Sequence, residues 1–201
     1  MLVPVDLSKF LTYTRTGPKT YFDKDGVLQT AADNEWPSEY DPITHEPLGR
    51  SVWDADVVSI TGADFSRWFN GPLGAFAVEF VVPSHDACVL CLSDGTTDNL
   101  MELVVESGAV KWRIVKDSVE QALIDGGAVT PGAVCRAAPA YAEDNFALSV
   151  NGAAAVTASG EVPVVDRMYI GTRNGVSAWL NNYVRRIVYY PKLQMLSGGA
   201  P

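Results

Sequence analysis

The chain has 201 residues, 47% of them apolar and 19% charged, which suits one full core plus an appendage and is too short for two ordinary domains. Lys and Arg number 15 against 24 Asp and Glu, so the formal charge is -9 and there is no large basic field to follow a phosphate backbone. Nucleic acid is therefore not an expected partner, and the acidity is spread along the chain, with ten acidic and five basic side chains in residues 1–56.

The opening MLVPVDLSKFLTYTR lacks the basic start and long apolar stretch of a signal peptide, and no run of 18 apolar residues occurs in the sequence. A soluble protein without membrane insertion, made in a reducing cytoplasm, is expected. Tyr21 to Arg50 is dense in turn formers: Asp23 and Asp25 flank Gly26, while Asp41-Pro42 and Glu46-Pro47 impose extended kinks. Tyr13, Tyr21, Phe22, Trp36 and Tyr40 are apolar anchors with no regular period. Such a segment has no core of its own and gains order by lying on another surface. Residues 1–50 are read as an extended attachment arm carrying these five residues as assembly anchors, with an integral flap of the main domain and a floppy tail as the alternatives.

From about Val57 the character changes to short runs of period-two alternation separated by Gly, Asn and Asp turns. Strands are expected at 57–61, around Phe76, Val78 and Phe80, at 88–93, as a hairpin over 99–116, and at 119–124 and 134–141. They continue as a hairpin turning at Asn151-Gly152, then at 166–171 and 183–190. In GAVKWRIVKD the alternation places Val110, Trp112 and Ile114 inward, with Lys111 and Arg113 facing water. No segment offers a long helical period, so an all-β sandwich or barrel follows and a doubly wound fold is excluded. Cys88, Cys91 and Cys135 are read as small buried hydrophobes, because CVLCLSDG runs from strand into turn and not into the helix a redox C-x-x-C needs.

The segments LSDGTTDNLMELVVESGAVKWRIV, YAEDNFALSVNG, MYIGTRNG and WLNNYVRRIVYYP resemble, in order and spacing, the concanavalin A-like or laminin G-like jelly roll of tailed-bacteriophage virion proteins. The earlier pattern, an aromatic and Asp followed by G.L..A..N and then YDP.T.EPLG, resembles a phage arm motif that precedes such domains. The resemblance implies a jelly-roll β-sandwich of two antiparallel sheets over residues 51–191, an arm over 1–50 and a C-terminal tail over 192–201. It further implies a virion location after assembly in the bacterial host cytoplasm, contact with other virion proteins through the arm, and a homo-oligomer. The domain would decorate a tail fibre or tip and touch host surface polysaccharide, or serve as a structural adaptor or capsid decoration protein without a sugar site, with a glycan-degrading enzyme as a distant third reading.

Catalysis finds little support. His45 in PITHEP and His85 in PSHDAC are the two imidazoles, no G-x-S-x-G occurs, and neither histidine has the partners of a hydrolytic triad. Glu79 and Glu102 are each a lone carboxylate expected on the polar face of a strand, not the facing pair a glycosidase needs. The chain is therefore expected not to be an enzyme.

Sugar binding fits the loops better, because flat aromatics beside amides and carboxylates suit a sugar ring. The candidate residues are Trp179 with Arg173, Asn174, Asn181 and Asn182, Asp94 and Asn99 in DGTTDN, and Trp68 in DFSRWFNG. Trp179 is either a stacking platform or a plug at the end of the core. No cofactor is expected; Asp94, Asp98 and Asn99 read most simply as turn caps, with a calcium site as the alternative.

Overall fold

The computed structural model describes residues 57–192, Leu7 and three short strands nearer the N-terminus. The chain divides into two compact units, one of Met1–Thr12 with Val57–Pro201 and one of Tyr13–Asp56. Among the described residues of the second unit is a hairpin of β2 (Lys19–Phe22) and β3 (Leu28–Ala31), paired antiparallel with Tyr21 opposite Gln29; β1 is Thr12–Thr14. Tyr13, Tyr21 and Phe22 lie on these strands. Trp36, Tyr40, most of the expected arm and the C-terminal tail beyond Lys192 lie outside the described residues.

In the first unit the elements are β4 (Val57–Thr61), α1 (Gly62–Ser66), β5 (Leu73–Val81), β6 (Ala87–Ser93), β7 (Leu100–Glu106), β8 (Ala109–Lys116) and β9 (Val119–Ala128). They continue with β10 (Val134–Ala142), β11 (Phe146–Val150), β12 (Val156–Ala158), β13 (Arg167–Ile170) and β14 (Val184–Tyr190). The larger sheet of this unit runs β4-β13-β6-β7-β8-β9; the smaller runs β12-β11-β10-β5-β14. Every pairing among β4 to β14 is antiparallel, giving a two-sheet jelly-roll sandwich. No helix among the described residues is long and apolar enough to cross a membrane.

Alternation dictates the core. Phe76, Val78 and Phe80 on β5, Val110, Trp112 and Ile114 on β8, and Phe146, Leu148 and Val150 on β11 all point into the space between the sheets. One end is closed by aromatics: Trp68 meets Tyr189 edge-on at 4.9 Å, and Phe69 stacks on Tyr141. There the Tyr141 and Tyr189 hydroxyls lie 2.9 Å apart, Tyr141 donates to the Asn70 carbonyl, and Tyr189 accepts from the Asn70 N–H. Gly74 is required beside this pair, since a Cβ on it would stand 2.6 Å from the Tyr189 hydroxyl oxygen.

Strands β6 and β7 depart from the half-buried pattern, because nearly every residue on both faces is buried. A bulge in β6 between Cys88 and Leu90 explains the apparent break in period within CVLC. Val89 and Leu90 both join the main core, whereas Cys88 and Cys91 both turn to the outer face. There they form a second cluster with Leu100 and Val104, against which Val115, Tyr169 and Ala178 pack. All three cysteines are free and buried, as the sequence implies.

Candidate functional site

The second cluster matters because residues 171–182 cover part of it. The segment leaves β13 with the Gly171 N–H donating to the Val89 carbonyl, and Ala178 accepts from the Cys88 N–H at 2.8 Å. Leu180, buried in the main core, ties down the far end through its N–H to the Gly171 carbonyl. Asn174, Ala178 and Asn181 adopt positive φ, a conformation asparagine tolerates better than most side chains, and this lets the segment fold back on itself.

Beneath it Glu102 is 1% exposed, on the outer face of β7. This corrects the expectation of a solvated glutamate. Its carboxylate accepts from Arg173 Nε at 2.7 Å and Nη2 at 2.8 Å, and from Arg113 Nη1 at 2.8 Å. Arg113 also reaches Glu106 at 3.0 Å and Glu120 at 3.3 Å, so it lies in an ion-pair network and does not simply face water; Lys111 likewise pairs with Glu106. Hydrogen bonds from Arg113 lower the Glu106 pKa, outweighing partial burial. A buried carboxylate is tolerable here because two guanidinium groups surround it.

Asn174 joins this segment to DGTTDN. Its Oδ1 accepts from the buried Ser93 hydroxyl at 2.5 Å, and its Nδ2 donates to the Thr96 carbonyl at 2.8 Å. Asp94 accepts from the Thr96 N–H and hydroxyl and from Asn99 Nδ2, while Asn99 Oδ1 accepts from the Asp117 N–H. Partial burial pushes the Asp94 carboxyl up, but these hydrogen bonds outweigh it and hold its pKa below the ordinary aspartate value. Turn capping thus accounts for both Asp94 oxygens, and Asp98 contributes its carbonyl to the Ser118 N–H.

The structure therefore brings Arg173, Asn174, Asp94 and Asn99 together, but as struts: both side-chain polar groups of Asn174, Asp94 and Asn99 have partners, and Arg173 is held through Nε and Nη2. Asn182 is engaged with the Val82 carbonyl at 3.4 Å and the Tyr183 N–H. Trp68 is 6% exposed, packed in the aromatic end of the core, and offers no face to a sugar. Trp179 is half-buried, its carbonyl 3.0 Å from His85 Nε2, and Asn181 beside it is exposed. The residues that sequence reasoning missed are Glu102, Arg113 and Ser93, which build the platform on which that pair stands.

No family model and no characterised protein sequence matches the chain. Among solved structures, it is similar to the CBM40 of a Ruminococcus gnavus IT-sialidase bound to alpha2,6 sialyllactose: 18% identity, TM-score 0.52, over 62% of this chain and 79% of that one. It is similar also to NanB with Optactamide, at 15% identity and TM-score 0.54, and to domains LG4-5 of mouse laminin alpha1, at 10% identity and TM-score 0.49. These cover 67% and 66% of this chain, which spans 24% of the NanB chain and 37% of the laminin chain. At such identities the likeness is one of fold: this is an all-β, two-sheet antiparallel jelly roll, similar in fold to the CBM40 and NanB structures.

Proposed function

We propose that the chain is a non-enzymatic structural component of a tailed-bacteriophage virion, a tail fibre or tip protein whose lectin-like domain touches host surface glycans. Oligomerisation would suit such a role, because weak single-site sugar contacts become useful in multiple copies. The phage assignment rests on the sequence motifs. The glycan assignment rests on one structural observation: the half-buried Trp179 and exposed Asn181 stand on a segment anchored by the Arg173–Glu102 ion pair and by Asn174. An anchored aromatic beside an exposed amide suits stacking on a sugar ring with a flanking hydrogen bond. That a jelly roll of similar fold holds alpha2,6 sialyllactose is consistent with this use of the scaffold. The engagement of Arg173, Asn174, Asp94 and Asn99 favours the second reading, a structural adaptor or capsid decoration protein with no sugar site.

Retention of a multimeric preparation on host lipopolysaccharide and on a glycan array separates the two. The lectin reading expects Trp179→Ala to abolish retention with the melting temperature nearly unchanged, and raising salt to matter little, since stacking is not screened. Absence of any retention, together with a large fall in melting temperature for Trp179→Ala, would make Trp179 a core plug and leave the adaptor.

A further inference from the structure

The opposite side of the sandwich carries a feature that the Trp179 segment does not use. On the outer face of the smaller sheet, Glu79 of β5 lies directly opposite Arg136 of β10 on one side and Arg186 of β14 on the other. Residues paired this way project to the same face, so the three side chains form a row across three strands, with the arginine Cα atoms roughly 10 Å apart. A bulge between Val184 and Arg186 inserts Arg185 as an extra residue, and the burial pattern places both Arg185 and Arg186 in solvent. Arg136 Nε bonds Glu79 at 2.9 Å and Arg185 Nη1 approaches it at 3.9 Å, yet the Arg136 and Arg185 side chains remain 75% and 53% exposed.

Among the described residues, Glu79 is the one carboxylate that pairs with Arg136 and Arg185, and Arg186 lies opposite it in register. The row therefore carries a local charge of about +2 on a chain whose net charge is -9, a concentration that selects for anions. On the same face Ala77 precedes Glu79 and Val81 follows it, with Val188 opposite Ala77, Val134 opposite Val81, and Ala138 paired with Ser149. Large apolar anchors of the sort that dominate protein interfaces are missing from the row, and the exposed aromatic at the head of β14 is Tyr183, 75% exposed. Planar guanidinium groups match carboxylates in a two-point fork, and a tyrosine ring suits a pyranose.

We propose that this face binds an acidic, carboxylate-bearing polysaccharide through Arg136, Arg185 and Arg186. The exposed Tyr183 beside the arginines, and the lack of a large aromatic anchor within the row, suit an extended acidic sugar chain better than a folded partner. This surface is independent of the Trp179 segment.

Affinity electrophoresis of the intact chain tests it, with polygalacturonate, its methyl-esterified neutral form and poly-L-glutamate as the immobilised polymers. Retardation by polygalacturonate alone is expected, weakening about tenfold or more as salt rises from about 20 to about 300 mM. Arg136→Ser and Arg186→Ser should each weaken it several-fold at unchanged melting temperature, Glu79→Gln should strengthen it, and Trp179→Ala should leave it unchanged. No retardation at low salt, or equal retardation of wild type and both arginine variants, would overturn the proposal. Equal retention by poly-L-glutamate would overturn it in favour of an acidic polypeptide partner. Loss on Trp179→Ala alone would move the binding to the other face and overturn it while sparing the lectin reading.

Discussion

Replacing Glu102 by Gln keeps the size of a 1%-exposed side chain but removes its charge, leaving two guanidinium groups facing a neutral amide. Three charge-assisted hydrogen bonds of 2.7–2.8 Å are weakened or lost, and breaking a buried ion pair from one side costs about 3–5 kcal/mol. Two features reduce that figure. Arg113 keeps Glu106 and Glu120, and the Arg173 side chain is 28% exposed, so water solvates part of it. The expected loss is about 2–4 kcal/mol, a large share of a typical domain's 5–15. Urea denaturation gives the value, and amide exchange at Cys88, whose N–H is held by the Ala178 carbonyl, reports whether residues 171–182 lift. A loss below about 1 kcal/mol with Cys88 still protected would refute the idea that this ion triad anchors the segment.

Trp112→Ala should cost about 3–5 kcal/mol in urea denaturation, whereas Trp112→Phe should cost much less, since the buried indole N–H has no partner among the described residues. Gly74→Ala should destabilise by about 1–3 kcal/mol and perturb tyrosine fluorescence, because the new methyl meets the Tyr141 and Tyr189 hydroxyls. The Asp94 and Glu106 carboxyls have depressed pKa values in the folded state, so their contribution is complete above the unfolded values of about 3.9 and 4.3 and is lost as pH falls through the folded ones. Thermal denaturation should therefore show a melting temperature insensitive to these groups from about pH 7 to 5 and falling below about pH 4, more weakly in Asp94→Asn.

Most strands were legible because alternation is a local signal: Val110, Trp112 and Ile114 declare their face from eight contiguous residues. Glu102 was not, because the arginine that covers it, Arg173, lies 71 residues further along and nothing between them marks the pairing. A clue was nonetheless present. In LMELVV every neighbour of Glu102 is apolar, so both faces of β7 ask for cover, and a strand covered on both faces makes any carboxylate within it a buried one. Trp68 was misplaced for a related reason. Its polar neighbours in DFSRWFNG suggested a loop, but the short helix α1 brings Phe65 against it at 5.0 Å and commits both rings to the core.

The two outer faces of the sandwich spend their arginines in opposite ways. On the larger sheet, Arg113 and Arg173 converge on a carboxylate excluded from water, where each hydrogen bond is strong and each unpaired charge is costly, so the groups are fixed and unavailable to a ligand. On the smaller sheet, Arg136 and Arg185 meet a 26%-exposed Glu79 with most of their own surface in water, where such pairs contribute about 0–1 kcal/mol and exchange partners readily. The first arrangement can hold an aromatic in place for stacking, and it predicts salt-insensitive recognition around Trp179. The second can trade one carboxylate for another at little cost, and it predicts recognition that salt abolishes. Salt dependence therefore assigns any observed glycan binding to a face before a single arginine is mutated.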